Sequence, residues 1–495
     1  MIRLGDATLT AGDVSLVAEE DCGVEIAPEV WTRLVDEKAV VDRAVDQDTA
    51  VYGVTTGLGA RSHVPMDPAQ ASTAGLRTVR ARATATGPAL PSAVVRAAML
   101  ARLASFARGG SGVSPQVVQL LQHMLNRHIH PIVPRVGSIG SSDLVQMAHV
   151  GLVMVGEGEA EVLGRRMDGR AALLKAGLEP VPVDARDGLA LCSSSPLAAG
   201  TTALCLNRLD GLLHSAAGVA ALSFEGWRAG TGVLDGDVLA LRPQPGQQRA
   251  AERIRMHLAD GELLASGQGR RLQDPISFRC VGATHGALEY AADALTEVLA
   301  GELNGNGDNP VVLDGRVVPT GNFHTPLLAL ACDQVAMALT QTAAMSVARL
   351  QRFLEPGLSG LPENLSRHGA SRAGLAPTVK TAQALLANLQ HAATPLSVDP
   401  RMGATAVEDH STNAFISALR LIDMLDWVSR VLAVEALAAA QACDLLGSDV
   451  VLGASTSALR ARIREVSPPL DDDRALGADI DRVAQQLSVA VRRAG

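Results

Sequence analysis

Two hydroxyls stand side by side at Ser141 and Ser142, in the run Gly137-Ser138-Ile139-Gly140-Ser141-Ser142-Asp143-Leu144. Gly137 and Gly140 leave the backbone beside them free to take a compressed turn,. Tyr52 is one of only two tyrosines among 495 residues. A phenol is a poor base at its ordinary pKa and becomes a useful one when cationic or dipolar neighbours lower it. Arg82 and Arg279 add planar guanidinium groups, which pair bidentately with a carboxylate and orient it. Glu408, Asp409 and His410 are consecutive. Three neighbours in the chain cannot all converge on one ion from a helix, so packing and ion pairing are expected there and no metal site.

Other chemistries find no footing. The chain has no HExxH, GxxxxGK[ST], GxSxG or EF-hand pattern,. Its net charge of −9 is modest for the length and no Lys/Arg cluster stands out, so no nucleic-acid partner is expected,. The six cysteines have no CxxC or CxxH spacing and read as free thiols in a reducing compartment,. The N-terminus has no apolar run, and the uncharged stretch 188–207 reads as a buried turn and helix start. A cytoplasmic protein with no membrane contact is therefore expected,.

The elements that must position these groups are helices. Apolar residues make up 47% of the chain and aromatics only 2%, which favours close-packed helices over strands,. Gly and Pro punctuate the first 200 residues, predicting short helices and loops. Segments 199–224, 326–354, 377–394 and 412–447 sustain helical spacing,. The reading is mainly α. An N-terminal domain, 1–200, carries the Tyr52 loop and the 137–149 loop, with short strands or hairpins at 10–20 and 159–184. A long-helix bundle, 201–495, forms the core of an oligomer, because the 326–354 segment is apolar nearly all round.

The ordered motifs resemble those of the histidine/phenylalanine ammonia-lyase family. Val51-Tyr52-Gly53-Val54-Thr55-Thr56-Gly57-Leu58-Gly59 is similar to its YGVNTGFG element, Gln273-Asp274-Pro275-Ile276-Ser277-Phe278-Arg279-Cys280 to QDPYSLRC, Asp308-Asn309-Pro310 with Gly321-Asn322-Phe323-His324 to DNP…GGNFHG, and Glu408-Asp409-His410 to QEDH. The resemblance covers nearly the whole chain. It implies a helical ammonia-lyase fold, a homotetramer, a small-molecule substrate, Tyr52 as base, Arg279 on the substrate carboxylate, and Gln273, Asn322, Phe323 and Glu408 around the substrate. In the family an Ala-Ser-Gly triplet before Asp-Leu cyclises and dehydrates to a methylidene-imidazolone.

Here the loop departs from that pattern. Only Ser141 and Ser142 stand between Gly140 and Asp143, and no glycine follows the serine. Around it, Arg82 takes the place of the ring-selecting residue, Ser193-Ser194-Ser195 that of Asn-Gly-Thr, and Ile276 that of the second active-site tyrosine. Ring closure requires the nitrogen of the third residue to attack the carbonyl of the first, which is easiest without a Cβ at the third position. The expectation is therefore a lyase-like enzyme with a remodelled site and no prosthetic group. It would run elimination, isomerisation or conjugate addition on a small carboxylate- or carbonyl-bearing substrate. Two alternatives stand beside it: a genuine ammonia-lyase or aminomutase whose imidazolone forms from the Ser-Ser loop, and a non-catalytic binding relative.

Overall fold

The computed structural model describes all residues except 48, 67, 267, 268, 404–406, 448 and 493–495, and the side chains of 68–72 and 489–492 are likewise outside the description. The protein is mainly α-helical, with four small sheets of two or three strands among the described residues. Four helices fall where the apolar spacing predicts: Pro196–Trp227, Pro326–Phe353, Ala376–Ala392 and Ala414–Leu446; helices Pro28–Asp46 and Val281–Asn304 lie outside the patterned segments. The 159–184 stretch supplies the hairpin Glu159–Val162/Arg165–Asp168, which extends strand Ile129–Pro131. Residues 11–19 form a helix instead of a strand. Thr10 accepts from the Asp13 amide and the Asp13 carboxylate accepts from the Thr10 amide, a capping box that fixes the first turn,.

The chain divides into two compact units. The first comprises 1–207, 295–332 and 395–419, and the second 208–294, 333–394 and 420–495. In the first unit, helix Ser92–Arg108 is buried along almost its whole length. Its Arg102 is sequestered from solvent and pairs with the equally buried Asp308 at 2.6 Å, while Ser111 donates to the other oxygen of that carboxylate at 2.6 Å. Burying a carboxylate is costly unless it is paired and hydrogen-bonded, as it is here,. This pair therefore ties the 308–310 turn to the centre of the unit.

In the second unit, Arg349 and Glu435 form a fully buried pair, and Ser223 donates to Glu435 at 2.6 Å. Arg349 also donates to the Ser277 carbonyl at 3.0 Å. Trp227 stacks on Phe278 with ring centroids 4.9 Å apart and donates to Asp274 at 2.8 Å. The 273–280 segment is thus anchored by Asp274, Ser277 and Phe278, all buried, while Gln273, Ile276 and Arg279 face outward.

Candidate active site

The first unit assembles its site around one short helix, Ala185–Cys192. Helix Pro68–Arg82 crosses it where two glycines meet. A Cβ on Gly188 would lie 2.3 Å from the Gly75 carbonyl oxygen, and one on Gly75 would lie 1.9 Å from that of Asp184. Only glycines permit that approach. The crossing brings the C-terminal end of helix Pro68–Arg82, with half-buried Arg82, towards Cys192, whose thiol feels the guanidinium charge. Burial dominates at that thiol and pushes it up to about 12, so Cys192 is no nucleophile,.

The Tyr52 loop packs against the same helix: a Cβ on Gly53 would meet the Leu189 side chain at 2.7 Å. The half-buried Tyr52 hydroxyl accepts from the Gly59 amide at 3.0 Å, where the short helix Gly59–Arg61 begins.

The chain leaves helix Ala185–Cys192 through Ser193-Ser194-Ser195, and these residues meet the 137–143 loop. The Asp143 amide donates to the Ser194 carbonyl at 2.8 Å, and Ser195 donates to the Phe323 carbonyl at 3.1 Å. Asp143 is sealed from solvent. One of its oxygens accepts from Ser138 at 2.8 Å, and the other from the Ala198 amide in the first turn of helix Pro196–Trp227 at 3.0 Å. Burial nevertheless outweighs those bonds and raises Asp143 to about 6. Glu302, mostly buried and within reach of the Asp143 charge, is raised to about 7.

The loop itself is folded tightly back. Gly140 and Ser142 face each other across an isolated antiparallel bridge. Gly140 has φ +87° and Ser142 φ +64°, so the left-handed conformation falls on the residue before Asp143, where the family has its glycine,. The Ser138 hydroxyl accepts from the Gly140 amide at 3.2 Å and lies 3.3 Å from the Ser142 carbonyl oxygen, spanning the turn. Thr412 donates to the Gly140 carbonyl at 2.9 Å. Ser141, at the tip, donates to the His410 carbonyl at 2.9 Å and is bridged to His324. The two histidines share a hydrogen bond of 2.9 Å between facing ring nitrogens.

Ser141, Ser142, Ser193, Phe323 and the 408–412 segment thus come from distant parts of the chain into the first unit. Asn322 is exposed there, next to Phe323, and its side chain reaches the Asn306 carbonyl at 3.4 Å. Glu408 is half-buried, and its carbonyl accepts from the Gly403 amide at 2.6 Å. Gln273, Ile276 and Arg279 belong to the second unit, where Arg279 donates to the Asp274 carbonyl at 2.7 Å. Ser138, Asp143, His324, His410 and Thr412 gather around the same loop without having been singled out by the spacing of motifs. Each lies in or beside a matched motif, which is the signal that could have found them.

The family described as aromatic amino acid lyase matches residues 9–465. The chain belongs to that family. It is 37% identical to the histidine ammonia-lyase of Symbiobacterium thermophilum over 488 residues, covering 98% of this chain and 96% of the relative. The histidine ammonia-lyase of Alkaliphilus metalliredigens is 35% identical over the same shares of each chain. Among solved structures, histidine ammonia-lyase from Trypanosoma cruzi superposes with TM-score 0.91 at 30% identity, covering 99% of this chain and 94% of that one. An ergothioneine-degrading enzyme, ergothionase from Treponema denticola, superposes with TM-score 0.95 at 28% identity over the whole of both chains.

These relatives correct two expectations. Near-full-length likeness to enzymes named histidine ammonia-lyase favours amine elimination over a remodelled site with other acid–base chemistry. It also overturns the expected lack of a prosthetic group, since this family carries the self-made imidazolone. The physical reason lies in the loop. The Cβ at the third position does not block the turn: Ser142 occupies the left-handed conformation, which costs an L-residue only about 1–2 kcal/mol,. The residues fit the group in the register Gly140-Ser141-Ser142: a compressed turn, a hydrogen-bonded first carbonyl, a serine in the middle, and Asp143 next, as in the family's pattern.

Proposed function

We propose that the protein is an amino-acid ammonia-lyase that eliminates the α-amine of a histidine-type substrate, with Gly140, Ser141 and Ser142 as the source of its prosthetic group. The observation that carries this reading is the left-handed Ser142, which gives the loop the turn that the family's glycine provides. The group supplies an electrophile that turns the amine into a better leaving group.

The chain's own residues do the rest. Tyr52, its hydroxyl polarised by the Gly59 amide, takes the β-proton,. Arg279, with one guanidinium nitrogen held on the Asp274 carbonyl, binds the substrate carboxylate through its remaining donors,. Arg82 and Ser193, at the ends of two helices locked together at Gly75 and Gly188, contact the side-chain end of the substrate. Gln273, Ile276, Asn322, Phe323 and Glu408 are proposed as further substrate-contacting residues. The protein is proposed to work in the cytoplasm as a homotetramer. Leu272 and Ile276 in the second unit are exposed, as are Leu327, Leu330 and Met337 along helix Pro326–Phe353, and apolar surface of this kind suits burial against other copies,.

The ergothionase likeness favours a second reading of the substrate alone. Ergothioneine is a histidine derivative with a trimethylammonium group at the α-carbon, so the departing group would be a tertiary amine. Incubation with L-histidine and, separately, with ergothioneine separates the two readings. The first expects an unsaturated imidazole acid with equimolar ammonia from histidine, and the second a thiolated analogue with trimethylamine from ergothioneine. Inertness towards both, or full turnover by Tyr52→Phe and Arg279→Met, contradicts the assignment.

A further inference from the structure

We propose that Thr412 and the His324–His410 pair are the groups that convert the Gly140-Ser141-Ser142 turn into its electrophile. This rests on the functional reading above and deepens it. It assigns the modification chemistry to three side chains outside the loop.

The first observation is the contact on Gly140. Ala414 opens helix Ala414–Leu446, and its amide donates to the Thr412 hydroxyl at 3.3 Å. That hydroxyl in turn donates to the Gly140 carbonyl at 2.9 Å. Hydrogen bonds in series polarise one another, and the end of this series is the carbonyl whose carbon must be attacked. The second observation is steric. A Cβ on Gly140 would lie 2.3 Å from the Thr412 oxygen and 2.6 Å from the Asn413 amide nitrogen. The alanine that opens the family's triplet therefore has no room here, and the threonine hydroxyl stands where its methyl would intrude. Gly140 and Thr412 are matched to each other.

The third observation concerns Ser141. Directly opposed residues of an antiparallel bridge hold their Cβ atoms roughly 5 Å apart on one side, which puts the His324 side chain next to that of Ser141,. The Ser141 hydroxyl donates to the His410 carbonyl, and His410 closes the group through its ring bond to His324. Two imidazoles joined by one N–H···N bond can accept a proton at one end and release one at the other.

The steps balance without an added reagent. In ring closure the Ser142 nitrogen bonds to the Gly140 carbonyl carbon. The carbonyl oxygen leaves as water with the amide protons of Ser141 and Ser142, and a C=N bond forms between Gly140 carbon and Ser141 nitrogen. Thr412 stabilises the charge that builds on the departing oxygen. In dehydration one imidazole takes the Ser141 α-proton, and the C–H electron pair becomes the Cα=Cβ bond. The hydroxyl leaves as a second water with a proton from the other imidazole, and the shared bond restores the pair.

Intact-mass measurement of the purified full chain reads each step, independently of turnover. The wild-type chain is expected to be two waters lighter than its sequence. Thr412→Val should retain both waters, and Thr412→Ser should lose both again. The paired change His324→Gln with His410→Gln should lose the first water and keep the second. Unfolding curves on the same samples establish that each variant is folded, and Thr412→Ser serves where Thr412→Val is not. Loss of both waters by Thr412→Val and by the histidine variant overturns this proposal and leaves the prosthetic-group reading intact. A wild-type chain at its full sequence mass overturns both.

Discussion

Replacing Ser142 with glycine tests the loop's conformation most sharply. Ser142 has φ +64°, where an L-residue pays roughly 1 kcal/mol or a little more that glycine does not,. In the unfolded chain glycine gives back about 0.5–1 kcal/mol through its greater freedom, so global stability should hardly change. The rate of ring closure should change, because closure starts from the compressed turn. Easing that turn by about 1 kcal/mol corresponds to roughly a fivefold faster reaction. The assay is pulsed cell-free synthesis followed by quenching and mass measurement of the peptide spanning 137–149. Ser142→Gly should shed its waters several-fold sooner than wild type. Ser142→Val, a β-branched residue at the same positive φ, should shed them far more slowly. Equal rates for all three chains would refute the claim that Ser142 bears the strain of the turn.

Two further outcomes follow from the site's supports. Asp143 and Glu302 are raised to about 6 and about 7, chiefly by burial, so the folded chain holds their protons more tightly than the unfolded one. Their contribution to stability is therefore present below the ordinary carboxylate range and is lost as pH rises through about 6 and 7,. Glu302→Gln should raise stability by about 1–3 kcal/mol at alkaline pH and leave it unchanged in acid; urea unfolding at two pH values checks this, and a pH-independent effect contradicts it. Gly75→Ala would push a methyl to 1.9 Å from the Asp184 carbonyl oxygen. It should cost about 1–3 kcal/mol, read by thermal unfolding, and raise KM by displacing Arg82; an unaltered KM contradicts that positioning role.

The helical class was legible because long apolar spacings leave few other solutions, and helices 196–227 and 326–353 start and end within a few residues of the patterned segments. The family was legible because Tyr52, the 273–280 segment and the 408–410 segment lie in order. Two things were misread for different reasons. The Thr10/Asp13 capping box is a local signal present in the sequence, and it outweighs the weak strand pattern at 10–20. The loop's capacity to fold back is not local. It depends on Thr412 and Asn413, which lie 272 and 274 positions further along than the Gly140 and Ile139 carbonyls they bind. Within residues 140–143 alone the Cβ of Ser142 is an obstacle, and the contacts that hold the loop at Ile139 and Gly140 come from outside it. The pattern of the 273–280 segment has a similar origin: Phe278 turns inward because Trp227 and Phe353 wait there, and Arg279 is left facing out.

The most direct test of the central claim is an experimental electron-density map of residues 137–145 in the full-length protein. The account predicts a covalent bond between the Gly140 carbonyl carbon and the Ser142 nitrogen, with a planar, hydroxyl-free Ser141. Density for an open chain with two ordinary serine side chains would contradict it.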